Sequence, residues 1–153
     1  MLDKSTKFGG VTLKEAGTQL SILSRQLNLY FSHELVETEV TASELLYLAQ
    51  LYKQDGLTQE EMSEELSVDK AATTRTMQAL EEKGLIYRTA STTDKRAKKV
   101  YLTNKGLSYE TRLREIQASW INFITQDMTT EQVQTFSQQL RQMVVRAKEI
   151  NQL

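Results

Sequence analysis

Between Lys70 and Lys105 the chain carries side chains suited to binding a polyanion, and few suited to anything else. Lys70, Arg75, Lys83, Arg88, Lys95, Arg96, Lys98, Lys99 and Lys105 stand among four acids over residues 69–105, a surplus of five positive charges. The rest of the chain has ten basic and sixteen acidic residues, and the whole carries a net charge of −1. A basic segment inside an otherwise acidic protein is the footprint of a polyanion-binding module on a different kind of scaffold.

Other chemistries find little support. With no cysteine among 153 residues, disulfides, zinc–thiolate sites, iron–sulfur clusters and thiol nucleophiles are excluded. His33 is the one histidine, too few for a metal cluster or a serine-type triad. His33, Glu34 and Glu37 have ligand-like spacing, but one histidine with carboxylates is a common helix surface. Glu60-Glu61 and Glu64-Glu65 are paired acids that read most simply as the solvent face of a short amphipathic helix. No enzyme activity, cofactor or metal is expected. No apolar run approaches the ~20 residues of a membrane span, and Met1–Ser5 lacks a signal-peptide layout. The expectation is a cytoplasmic protein with no membrane partner.

The elements that must position the basic residues are mostly helical. Proline is absent and glycine sparse, which favours helices. Leu13, Ala16, Leu20, Leu23, Leu27 and Tyr30 recur at three-four spacing and predict a long helix over 13–35. Thr41-Ala42-Ser43-Glu44 opens a helix over about 43–53. Thr58-Gln59-Glu60-Glu61 is a capping box for a short helix ending near Leu66. Asp69 is the expected N-cap of a helix over 70–83 that Gly84 stops. Leu85–Thr89 and Lys99–Thr103 are rich in β-branched and aromatic residues and flank a polar loop, which predicts a hairpin. Thr103 caps a helix over 104–125 with Tyr109, Leu113, Ile116, Trp120 and Phe123 on one stripe. Thr129 or Thr130 caps a last helix over 131–150, striped by Val133, Phe136, Leu140, Met143, Ala147 and Ile150.

Short helices followed by a basic hairpin are the layout of a winged helix-turn-helix, whose last short helix enters the DNA major groove while the wing meets the flanking backbone or minor groove. In the helix over 70–83, spacing turns Thr73, Met77 and Leu80 inward. Lys70, Ala71, Thr74, Arg75 and Gln78 then face outward, able to reach base edges or phosphates. In the wing loop, Arg96 is suited to a narrow A·T-rich minor groove. Asp94, two residues earlier, can brace it through a charge-assisted hydrogen bond. Lys95, Lys98 and Lys99 read as phosphate partners. A winged helix used only for protein–protein contact is the competing reading, and the basic segment argues against it.

The segment Asp94-Lys95-Arg96-Ala97-Lys98-Lys99-Val100-Tyr101-Leu102-Thr103-Asn104-Lys105-Gly106 resembles the wing of MarR-type winged-helix transcription regulators: Asp-x-Arg, an apolar-x-Leu-Thr strand, then Lys-Gly. Leu80-Glu81-Glu82-Lys83-Gly84-Leu85-Ile86-Tyr87-Arg88 is similar to that family's recognition-helix exit, and Thr74-Arg75 to its Thr-Arg pair. The resemblance implies one domain over 1–153, with a winged helix-turn-helix over 41–103 between dimerisation helices at 10–38 and 104–153. It implies a homodimeric repressor binding a palindromic double-stranded operator, with two recognition helices about 34 Å apart. It also implies a small lipophilic or aromatic effector in a cleft between the DNA module and the dimer helices. Leu27, Tyr30, Phe31, Tyr47 and Leu51 are the candidate lining residues.

Overall fold

The computed structural model describes residues 7–8, 11–90 and 98–151. The chain divides into two compact units, residues 1–42 and 43–153.

In the first unit, β1 (Lys7–Phe8) pairs antiparallel with β2 (Val11–Thr12), Phe8 opposite Val11. The sequence reading did not anticipate this ribbon, although the Gly9-Gly10 dipeptide between the two segments is a hairpin signal. The long helix α1 (Leu13–Glu34) follows, close to the predicted span. Leu20, Ile22, Leu23 and Leu29 are exposed on it, and burial is concentrated at its end, at Phe31 and Leu35. The Thr38 hydroxyl then closes the chain's turn, donating to the Leu35 carbonyl at 2.8 Å and accepting from the Val40 amide at 3.1 Å.

The second unit carries the rest, with α2 (Ala42–Lys53) starting at the unit boundary. Leu45, Leu48 and Leu51, three residues apart, line one face of α2 and are fully or almost fully buried. They share a core with Met62 of α3 (Gln59–Leu66), with Met77 and Leu80 of α4 (Lys70–Glu82), and with Leu113 and Ile116 of α6 (Glu110–Ile124). The strands β3 (Leu57–Thr58), β4 (Ile86–Ala90) and β5 (Lys98–Leu102) form an antiparallel sheet in the order β3-β5-β4. Register sets Ile86 opposite Leu102, Arg88 opposite Val100 and Leu57 opposite Val100. Inward residues alternate with outward ones, so Ile86, Val100 and Leu102 complete the core.

Two features differ from the sequence reading. The expected two-stranded hairpin gains β3, because Gly56 turns the chain at φ +81° and donates its N–H to the Val100 carbonyl at 2.9 Å. The single helix expected over 104–125 is two, α5 (Asn104–Ser108) and α6, meeting at Tyr109. There the Tyr109 amide closes a tighter turn onto the Gly106 carbonyl three residues back, at 3.3 Å, while the Tyr52 hydroxyl donates to the same carbonyl at 2.8 Å. The last helix, α7 (Thr130–Ile150), has no buried residue at all.

Candidate nucleic-acid interface

The helix α4 is placed by local chemistry at both ends. Ser67 ends α3 in the left-handed conformation, φ 53°, and the Ser63 hydroxyl donates to the Val68 carbonyl across the turn. Asp69 then caps α4, its carboxylate accepting from the Ala72 amide at 2.8 Å. Gly84, at φ +69°, takes the chain out of α4 and into the sheet.

Thr73, Met77 and Leu80 are 0% exposed, as the spacing predicts. The buried Thr73 hydroxyl is satisfied by the Tyr47 hydroxyl at 3.2 Å. The opposite face carries Lys70, Ala71, Thr74, Arg75 and Gln78, all exposed. Their surroundings differ. Lys70 Nζ lies 2.6 Å from Glu60 Oε1, and that hydrogen bond raises the lysine pKa above its ordinary value. Thr74 Oγ1 accepts from Gln59 Nε2 at 2.5 Å and donates to the Lys70 carbonyl at 2.7 Å. Gln78 Nε2 donates to Glu82 Oε1 at 2.9 Å. The Arg75 side chain makes no hydrogen bond or ion pair among the described residues.

The wing leaves the end of α4 as a braced sheet. Arg88 donates through Nε to Glu81 Oε2 at 3.0 Å and through Nη2 to the same oxygen. The Arg88 hydrogen bonds hold the Glu81 carboxyl below its ordinary range, with Lys98 adding to the effect. Lys98 is exposed, whereas Lys99 is half-buried; hydrogen bonds from Thr58, with Lys99 adding to the effect, hold the Glu61 carboxyl below its ordinary range. Asp94, Lys95 and Arg96 lie outside the described residues. At the wing's base the Thr103 amide donates to the Leu85 carbonyl at 3.1 Å, and its hydroxyl to the Gly84 carbonyl at 2.6 Å.

Three acids that shape this face were not recognised as doing so from the sequence. Glu60 holds Lys70, Glu81 holds Arg88, and the buried Glu44 takes Lys83 Nζ at 2.7 Å. In the sequence Glu60 reads as part of an acidic pair, Glu44 as the acid of a helix-opening box and Glu81 as part of a helix exit, none of them as the partner of a cation. No local motif announces such partners, which stand ten, seven and thirty-nine residues from their cations.

The five residues named for an effector fall in both units. In the first, Leu27 and Tyr30 are part-exposed and Phe31 is buried, with the Tyr30 and Phe31 rings 5.9 Å apart. In the second, Tyr47 and Leu51 are core residues, Tyr47 directly under α4. Among the described residues no group of three or more His, Cys, Asp or Glu is placed to hold a metal ion. No described helix is long and apolar enough to cross a membrane.

This arrangement agrees with known proteins. The MarR family model matches residues 40–98. The HTH-type transcriptional regulator BilQ of Clostridioides difficile (strain CD3) is 30% identical over 107 residues, covering 70% of this chain and 72% of BilQ. The chain belongs to the MarR family. Its fold is similar to a crystal structure of a MarR transcriptional regulator from Methanosarcina mazei Go1, with a TM-score of 0.82, 26% identity and coverage of 90% of this chain and 99% of that one. It is also similar in fold, at 22% identity and a TM-score of 0.78, to MepR of S. aureus in its DNA complex, with coverage of 86% and 97%. As a MarR-family member the chain is a DNA-binding transcriptional regulator, with the winged-helix fold that its sequence leads one to expect.

Proposed function

We propose that this MarR-family regulator is a dimeric repressor that reads a palindromic operator through α4, modulated by a small lipophilic or aromatic effector. Lys70, Ala71, Thr74, Arg75 and Gln78 are assigned to the major groove. Lys98 and Lys99, with Asp94, Lys95 and Arg96 of the wing, are assigned to the flanking backbone and minor groove. The observation that carries this reading is the division of α4. One face is wholly buried at Thr73, Met77 and Leu80, and the other is wholly exposed, polar and cationic. Ala71 leaves space for close approach, and Arg75 is the long cation without an internal partner among the described residues. A two-fold pair of such helices about 34 Å apart would span one DNA turn.

We assign no catalytic role to the chain, and its expected place is the cytoplasm, where DNA is accessible. Sequences captured from a random duplex pool should contain an inverted repeat. Arg75→Ala should bind them about 10- to 100-fold more weakly if Arg75 contacts a base. Because Arg75 is exposed, the variant should fold. Capture of no preferred sequence, or an unchanged affinity in folded Arg75→Ala, would refute the assignment.

A further inference from the structure

The opening turn of α3 reaches across to the exposed face of α4. Gln59 and Glu60 are the first two residues of α3, and they engage Thr74 and Lys70 respectively. Thr58 and Glu61 fix that turn. The Thr58 hydroxyl accepts from the Glu61 amide at 3.2 Å, and the Glu61 carboxylate accepts from the Thr58 amide at 2.7 Å. Glu61 is thereby committed to the cap, and Glu60 beside it is presented to Lys70.

Lys70 is the first residue of α4. A cation there opposes the helix dipole, so helix stability does not explain its placement. A DNA phosphate would, and a carboxylate oxygen 2.6 Å from the ammonium stands where a phosphate oxygen would stand. The pair is exposed on both sides, with 77% of the lysine side chain and 64% of the glutamate accessible. Exchanging one anion for another at such a site needs no prior unburial.

We propose that Glu60 is an internal competitor for DNA phosphate, holding Lys70 until a phosphate displaces it. The proposal rests on the reading of α4 as the DNA-facing helix. It makes Glu60 a residue that sets affinity without contacting a base, and it weakens binding to all duplexes alike. Exposed pairs are weak, so the effect is about two- to fivefold per subunit.

The test measures affinity by fluorescence anisotropy, using a duplex captured from a random pool by the unmodified protein and a duplex of unrelated sequence. Glu60→Gln should bind both about two- to fivefold more tightly per subunit, with the gain shrinking as salt rises. Glu65→Gln removes the same charge from a position about 140° around α3 and should change affinity much less. Lys70→Ala should bind more weakly, and in that background Glu60→Gln should give no gain. Circular dichroism melts confirm that each variant is folded. The competitor is refuted if Lys70→Ala weakens binding while Glu60→Gln leaves it unchanged. It is refuted too if Glu65→Gln gains as much as Glu60→Gln, or if the gain survives without Lys70. If Lys70→Ala binds like the unmodified protein, the placement of Lys70 against DNA fails and the competitor fails with it.

Discussion

Lys83 Nζ donates to both carboxylate oxygens of Glu44, at 2.8 and 2.7 Å, tying the C-cap of α4 to the opening turn of α2. Glu44 is almost wholly buried, so its carboxylate relies on its partners for the hydrogen bonds that water would otherwise supply. Both residues make further interactions, which soften the loss of one. Lys83→Met should cost about 2–4 kcal/mol by urea unfolding, because it strands a buried carboxylate. Glu44→Gln should cost less, about 1 kcal/mol, because a neutral amide can stay hydrogen-bonded. The reverse order of losses would show that the pair is not limited by the buried charge.

Gly106 is required by space. A Cβ there would lie 2.1 Å from the Leu85 carbonyl oxygen, which is backbone and accepts the Thr103 amide. Gly106→Ala should therefore destabilise by about 1–3 kcal/mol, the ordinary cost of overpacking. It should also weaken DNA binding, since the strand that yields leads into the wing. A variant as stable as the parent would mean that α5 moves away from β4 at little cost.

What the sequence disclosed and what it withheld divide along sequence distance. Thr58, Asp69, Thr103 and Thr129 all cap the helices expected of them, because a cap is a bond over three residues. Thr73, Met77 and Leu80 were legible from helical spacing alone. The strand β3 is two residues long, too short for an alternation pattern, and Thr58 within it also serves as a cap. Charge counting over residues 69–105 overstated the free cations there. Lys70, Lys83 and Arg88 each meet a carboxylate brought in by the fold, and the Arg88–Glu81 pair braces the wing against α4. The break at Tyr109 follows from contacts of Gly106 with Leu85 and Tyr52, neither of them near in sequence.

Tyr52 supplies a pH signature of the same junction. Burial, with Glu110 adding, pushes its phenol up from 10.0 to about 12, against the lowering influence of Arg114. The folded state therefore keeps a proton that the unfolded state loses first. This contribution to stability is complete below pH 10 and disappears as pH rises from 10 towards 12. In an absorbance titration at 295 nm (the phenolate band), subtracting Tyr52→Phe from the parent should leave one step centred near 12. A difference step near 10 would show that the Tyr52 phenol is not buried at this junction.

The outer helices make the most direct claim about assembly. α7 runs for 21 residues without one that is buried, and Phe136, Met143, Val144, Val145 and Ile150 are exposed on it. On α6 Phe123 is 70% exposed, and α1 separately exposes Leu20, Leu23 and Leu29. A helix is held in a protein by burial of its apolar face rather than by propensity, so a stripe this long calls for a partner surface. Each large apolar side chain fully covered would contribute about 1.5–3 kcal/mol. A second copy of the chain offers the same stripes in a self-complementary two-fold arrangement. Sedimentation at micromolar concentration should show a dimer, and the melting temperature should rise with protein concentration. Leu140→Glu sets a charge on the stripe of Phe136 and Met143 and should yield monomer or aggregate, since an unpaired carboxylate is costly in an apolar seam. Gln138→Glu adds the same charge off that stripe and should leave the dimer intact. A monomeric parent with a concentration-independent melting temperature would refute the dimer. Equal disruption by both variants would show that net charge, not the stripe, governs assembly.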